Sequence, residues 1–288
     1  ALALVSSLAA QTALAQGFPS KPTKIIVPFP AGGLLDGVAR ITSAKLAETS
    51  RQTVLVENKP GAGGTLGAAA AATAAADGQT ILLVLDTHAI NHHLYAKLTY
   101  DPFKSFEHVT QLLSSPQLIA ATLNFQPSSL KELIAYAKSK PGELSYGSIG
   151  TGSANHLNAL LLEQHAGIKM LHIPYKGGAP MLQDLIGGQI NISFVAAPST
   201  IGHIKGGRMK ALAAGTPQRL PQLPDTPTIG ETIPGFVAAS WIGVLVPTGT
   251  PKPLIGDIHA AYAKVMADAD VKAKLTAQGF DIVGSSPE

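Results

Sequence analysis

The chain has 288 residues, 45% hydrophobic and only 14% charged, with a net charge of +3 and no cysteine. Such a composition supports a sizeable core and excludes a disordered chain, which would be poor in apolar residues. Singly scattered basic residues and 5% aromatics leave no footprint for nucleic acid. The lack of cysteine removes disulfides, thiolate metal sites and thiol nucleophiles.

Residues 1–10 are apolar and rich in alanine and leucine, and Ala13-Leu14-Ala15 follows. These are the apolar and cleavage regions of a secretory signal without its charged start, so residues 1–15 read as a signal-peptide remnant and the mature chain starts near Gln16. An apolar N-terminal helix is the competing reading. No later stretch reaches the roughly 18 consecutive apolar residues of a membrane helix, so the chain is not expected to be membrane-inserted.

Lys24-Ile25-Ile26-Val27 is a β-branched run suited to a buried strand, stopped by Pro28 and Pro30. Gly32-Gly33 turn the chain, and Leu35, Val38, Ala39, Thr42 and Leu46 then recur at helical spacing. A glycine turn between a strand and a helix start gathers unpaired backbone N–H groups at the positive end of the helix dipole. The turn over residues 29–36 is therefore a candidate anion site. Glycines also serve tight turns for steric reasons alone, so an ordinary strand–helix turn stays open at this point.

Residues 53–56 and 81–85 read as strands, with Gly61-Ala62-Gly63-Gly64 leading into an alanine-rich helix that Asp77-Gly78 closes. Ser129-Leu130-Lys131-Glu132 has capping-box spacing and opens a helix with Leu130, Leu133, Ile134 and Ala137 on one face. Pro180 suits the first turn of a helix ended by Gly187-Gly188, and residues 190–195 make a short strand. A late helix buries Ile255, Ile258, Tyr262, Val265 and Met266. The alternation predicts an α/β fold with largely parallel sheets. Proline- and polar-rich passages at 124–129 and 216–227 bracket about a hundred residues, a domain's worth. The expected organisation is two lobes, residues 16–123 with 225–288 forming the first and 124–224 an inserted second. A ligand would lie in the cleft between them.

Three further turns could reach that cleft. Residues 61–67 follow a dinucleotide fingerprint only superficially, since the glycine needed at position 66 is Leu66, and no Gly-Lys-Ser/Thr follows for a phosphate loop. Thr87-His88-Ala89-Ile90-Asn91 offers hydroxyl and amide groups directly after the strand at 81–85. His88 and His92 lie four apart beside His93, but no acidic ligand completes a metal site, and capping or surface histidines are expected. Residues 147–156 form a second glycine- and hydroxyl-rich turn before a helix. Neither Ser148 nor Ser153 has the Gly-x-Ser-x-Gly pattern of a nucleophile elbow. No catalytic residue, cofactor or metal is expected. Trp241 is expected in the core beside Ile242 and Val244.

In order along the chain stand Val27-Pro28-Phe29-Pro30-Ala31-Gly32-Gly33 with Asp36, Val56-Glu57-Asn58-Lys59-Pro60-Gly61-Ala62-Gly63-Gly64, and Thr87-His88-Ala89-Ile90-Asn91. Leu98-Thr99-Tyr100-Asp101-Pro102, Gly152-Ser153 with His156-Leu157, and His172-Ile173-Pro174-Tyr175-Lys176-Gly177 follow. Leu185-Ile186-Gly187-Gly188, Pro224-Asp225-Thr226-Pro227 and Pro247-Thr248-Gly249-Thr250-Pro251 complete the series. Over residues 18–287 the chain thus resembles the substrate-binding proteins of tripartite tricarboxylate transporters, the Bug proteins. The resemblance implies a two-lobed periplasmic binding protein, type II-like, that closes on a small carboxylate and delivers it to membrane transporter subunits.

It further implies that backbone N–H groups and ordered waters of the turns at 29–36 and 87–91 grip one carboxylate, with Phe29, Pro30, Ala31, Gly32, Gly33, Asp36, Thr87, His88 and Ala89 as the site residues there. Ser153, Asn155, His156, Tyr175, Val195 and Ala196 would shape specificity around the rest of the ligand. Many relatives carry an aspartate after the phenylalanine of the late strand, where this chain has Phe194-Val195-Ala196-Ala197. Losing that acid removes a partner for a ligand amine, so the expected ligand is a mono- or dicarboxylate with an uncharged body, aromatic acids such as terephthalate included. The protein is expected to be a periplasmic monomer. The alternatives are a sensor presenting its ligand to a membrane kinase, and a small-acid hydrolase or transferase using His88 or His156 as base.

Overall fold

The computed structural model describes residues 18–287; the expected signal segment, residues 1–15, lies outside them. The first half runs β1 (Thr23–Val27), α1 (Leu34–Ser50), β2 (Val54–Asn58), α2 (Thr65–Ala72), β3 (Thr80–Leu85), α3 (Thr87–Leu94) and the long β4 (Phe106–Ala121). There follow α4 (Leu130–Ser139), β5 (Ser145–Ser148), α5 (Ala154–Ala166), β6 (Leu171–Pro174), α6 (Gly178–Ile186), β7 (Ile192–Ala196), α7 (Ala197–Lys205) and β8 (Lys210–Ala214). The chain ends with β9 (Ala239–Pro247), α8 (Lys252–Ala267), α9 (Ala269–Gln278) and β10 (Asp281–Ile282).

The strands form one 10-stranded sheet in the order β2-β1-β3-β9-β4-β7-β5-β6, with β8 and β10 also paired to β4. The expected parallel pairing holds at the two ends, where β1 pairs with β2 and β3, and β5 with β6 and β7. The middle is antiparallel. β4 pairs with β9 over residues 106–116 and then with β7 and β8 over 117–121, so one strand belongs to both halves of the sheet.

Each half is covered on both faces, and side chains alternate between the two covers as a pleated strand requires. In β3, Ile81, Leu83 and Leu85 enter the core under α1, α8 and α9, while Leu82 and Val84 enter the smaller core around Ala68, Tyr100 and Phe106. In β4, Ile119 and Ala121 face a core with Leu133, Tyr146 and Phe194, and Leu118 and Ala120 face one with Met181, Leu185 and Ile201. Ile229, Phe236 and Ala238 pack into the second half's core. Residues 225–238 therefore sit with the second half rather than the first, because the chain returns only at the start of β9. Trp241 is half-buried against the smaller core rather than lying with Ile242 and Val244, since neighbouring strand residues face opposite ways.

Helix starts carry the expected signals. Ser129 caps α4 by accepting the Glu132 N–H, but the Glu132 carboxylate reaches back to Ser128 instead of closing the box on Ser129. The turn after β1 is braced from behind. Gly32 adopts φ +78, open to glycine without strain, and donates its N–H to Asp36 Oδ2 at 2.9 Å. Arg40 Nε donates to the same oxygen at 2.9 Å, and Asn58 Nδ2 donates to Asp36 Oδ1 at 3.0 Å and to the Phe29 carbonyl at 3.1 Å. Burial pushes the Asp36 carboxyl up, yet the hydrogen bonds from Arg40, Gly32 and Asn58 together hold it below its ordinary range.

Replacing Asp36 with alanine orphans the Gly32 and Asn58 donors and is expected to destabilise the fold by about 1–3 kcal/mol in urea unfolding at neutral pH. A depressed folded pKa gives stabilisation that is present above the unfolded value and lost as pH falls through the folded one. The gap between parent and Asp36→Ala should therefore close on acidification below the ordinary carboxylate range. Gly67 in α2 supplies an independent check. A Gly→Ala change inside a helix ordinarily stabilises by about 0.5–1 kcal/mol. At Gly67 the added methyl would lie 2.7 Å from Pro28 Cβ and 2.8 Å from its Cα, so Gly67→Ala is expected to lower stability by about 1–3 kcal/mol in the same assay.

Candidate functional site

Between the two halves lies a cavity of about 90 Å³. Five helices begin at its wall: α1 at Gly33 and Leu34, α3 at Asp86, α5 at Ala154 and Asn155, α6 at Gly178 and α7 at Ala196. Each start leaves N–H groups without a partner in its own helix, and each directs a positive dipole end at the same space. Local sequence sets these starts. Ser153 caps α5 by accepting the His156 N–H, Pro198 occupies the first turn of α7, and glycines precede α1 and α6.

Phe29, Leu35, Met181 and Leu182 give the cavity an apolar body, while Asp86, Gln117, Asn155, Ser199 and Ser240 supply its polar side chains. Among the described residues no lysine, arginine or histidine lines it. Gln117 sits where β4 passes between the halves, its N–H donated to the Ala238 carbonyl at 3.1 Å and its carbonyl accepting from Gly215 at 2.8 Å. Asn155 Nδ2 donates to the Phe194 carbonyl and lies 3.4 Å from Gln117 Oε1. Asp86 is 9% exposed; Oδ1 accepts the Thr87 N–H at 2.8 Å, and the Ser240 side chain also bonds the carboxyl. Burial pushes it up to about 6 against these two hydrogen bonds.

The two halves touch around the cavity. A methyl on Gly177 would lie 3.0 Å from Pro30 Cδ, and one on Gly152 would run into Leu94. Ile149 packs against cores of both halves. A neighbouring opening, lined by Pro60, Gly61, Gly63, Gly150, Tyr175 and Lys176, shares Phe29 and Pro30 with the cavity.

Of the residues singled out from sequence, Phe29, Pro30, Gly32, Gly33, Asn155 and Ala196 line the cavity together. Ala31 is exposed beside it, and Asp36 lies behind the turn as its brace. Thr87 is buried next to Asp86. His88 and Ala89 line a separate pocket with Trp241, and His88 Nε2 is engaged by the Pro102 carbonyl at 3.0 Å. Ser153 caps α5, and Tyr175 lines the neighbouring opening with its hydroxyl donated to Asp184 at 2.7 Å. Val195 alternates with Phe194 and packs into the core beside Leu118 and Met181, and does not itself line the cavity.

His156 stacks on His172 with ring centroids 4.2 Å apart, and burial followed by the neighbouring His156 pushes His172 down to about 4. His172 Nε2 lies 2.7 Å from Ser148 Oγ, but Ser148 is 0% exposed. Neither His88 nor His156 lines the cavity. Among the described residues no group of three or more histidines, aspartates or glutamates is placed to hold a metal ion.

Sequence reading missed Asp86, Gln117, Gly178, Ser199 and Ser240. Asp86 carried a usable signal, an aspartate at the N-cap position after a strand. Gly178 carried one too, as the last of the glycines before a helix with proline in its first turn. Gln117 and Ser240 had none, because both sit inside the crossing strands.

The profile described as "Tripartite tricarboxylate transporter family receptor" matches residues 38–287. Protein BugT of Bordetella pertussis is 32% identical over 277 residues, 95% of this chain and 85% of that protein. Among solved structures, R. palustris Rpa4515 with adipate is 33% identical with a TM-score of 0.90, covering 94% of this chain and 91% of the other. MatC from Rhodopseudomonas palustris with bound malate is 35% identical with a TM-score of 0.85, covering 91% and 90%. Two halves joined by crossing strands make this a two-lobed periplasmic binding protein fold, and the chain belongs to the tripartite tricarboxylate transporter receptor family.

Proposed function

We propose that this protein is a periplasmic solute receptor that binds a small mono- or dicarboxylate between its lobes and hands it to transporter subunits in the membrane. One observation carries the reading: five helix starts converge on a cavity with no cationic side chain. N–H donors fixed in the backbone recognise a carboxylate without lysine or arginine. The relatives solved with adipate and malate support it. Residues 1–15 serve as the export signal. Among the described residues no helix is long and apolar enough to cross a membrane.

The second lobe is an insertion whose crossings lie at Gln117 in β4 and at Ala238 just before β9. Rotation about these crossings opens the cleft, and closure seats Gly177 against Pro30. The ligand leaves chemically unchanged.

A thermal-shift screen of mono-, di- and tricarboxylates, terephthalate among them, tests the assignment. At about 100 times Kd a bound acid adds about 2.7 kcal/mol of stability; the corresponding amides should give no shift, and the acid should be recovered intact by NMR. A panel in which no acid shifts the melting temperature rejects the reading. Closure has its own test in Gly177→Leu. Gly177 has φ 163, extended backbone open to any residue, so the unliganded melting temperature should hold while the side chain props the lobes apart. Affinity is expected to fall about tenfold or more, about 1.4 kcal/mol, by calorimetry.

A further inference from the structure

Among the described residues Asp86 is the one charged residue lining the cavity. Its partners, the Thr87 N–H and the Ser240 side chain, are both neutral. None of the ion pairs among the described residues includes it. The cavity wall thus carries a buried carboxyl whose charge no side chain among the described residues balances. Burial raises it to about 6, which still leaves the ionised form in excess at neutral pH.

A ligand bearing only carboxylates would add further negative charge to the cavity that Asp86 lines. A carboxylate set against Asp86 would face a like charge, which disfavours ionisation of both groups together. An ammonium group reverses the sign of the interaction. A charge-assisted hydrogen bond from an ammonium to a buried carboxylate is among the stronger polar contacts available. The cavity therefore offers both poles: amide N–H groups at the helix starts for an anion, and Asp86 for a cation.

We propose that the ligand is a zwitterionic aminocarboxylate, its carboxylate held by the helix-start amides and its ammonium by Asp86. The proposal rests on the carboxylate reading above and goes beyond it by naming the ligand's second functional group. It replaces the uncharged body expected from Val195. That side chain packs in the core, and the acid facing the cavity comes from the first lobe instead, at the end of β3.

Calorimetry at about pH 7.5 on matched pairs tests it: succinate with aspartate, glutarate with glutamate, adipate with 2-aminoadipate, butyrate with 4-aminobutyrate. In the unmodified protein the aminated member of at least one pair should bind about tenfold or more tighter than its plain counterpart. Asp86→Asn keeps an oxygen for the Thr87 N–H and should erase that preference while still binding the plain acid. Its unliganded melting temperature should equal or exceed the parent's, since a buried uncompensated charge is removed. Plain acids binding as well as or better than their aminated partners would overturn the proposal and leave the carboxylate reading standing, with no variant needed. An ammonium preference that survives in Asp86→Asn would overturn the role of Asp86. Binding of neither class would overturn both readings.

Discussion

The first N–H groups of an α-helix have no partner within the helix, and the cleft of this protein is made by gathering several such ends around one small space. Topology forces the gathering. β1, β3, β5, β6 and β7 each lead directly into a helix, α1, α3, α5, α6 and α7. β1 and β3 run parallel, as do β5, β6 and β7. All five helices therefore begin at the carboxyl edges of two parallel strand groups, the edges where open α/β sheets place their ligands. Facing those edges across a cleft yields a positive field built from peptide dipoles. Such donors carry no side-chain entropy to lose and are already oriented before a ligand arrives.

The antiparallel middle of the sheet joins the two halves that carry that field. β4 runs from the first lobe into the second, and the chain returns into β9 through Ala238 and Ala239. Both passages put polar side chains on the cavity wall, Gln117 from β4 and Ser240 from β9. Under the proposed rotation, groups on the crossing strands would keep their place at the cleft floor, whereas Gly177 and Pro30 come from opposite sides of the rim. The absence of a Cβ at Gly177 leaves room for Pro30 at that approach.

Legibility in the sequence followed the range of the forces involved. The 29–33 turn and the 152–156 turn were readable because glycine conformation and helix capping are decided by a few neighbouring residues. Gly32 at φ +78 and Ser153 on the His156 N–H are such cases. The side to which a strand residue points is also local, but which face meets the ligand is not. Val195 and Ala196 are adjacent; only Ala196 reaches the cavity, because the pleat sends Val195 into the core with Leu118 and Met181. His88 illustrates the same limit at the second residue of α3, where Tyr100 and Phe106 hold its ring among them. β4 escaped notice altogether. Ser114, Ser115, Pro116 and Gln117 break the apolar run in a strand whose partners, β7, β8 and β9, all come later in the chain.

Asp86 brings these strands together. It occupies an N-cap, where an acidic side chain ordinarily stabilises a helix, yet burial keeps its proton affinity raised. An acid whose folded pKa lies above its unfolded one lowers stability as pH rises through that interval, because the unfolded chain releases the proton more readily. At neutral pH the residue therefore works against the fold it caps. Asparagine would cap α3 nearly as well with no charge to bury. A buried charge that capping does not require, set in a cavity whose remaining wall is neutral, belongs with the departures from local consistency that proteins concentrate at functional sites. Its compensation is then sought in what enters the cavity, since the wall itself contains no cation.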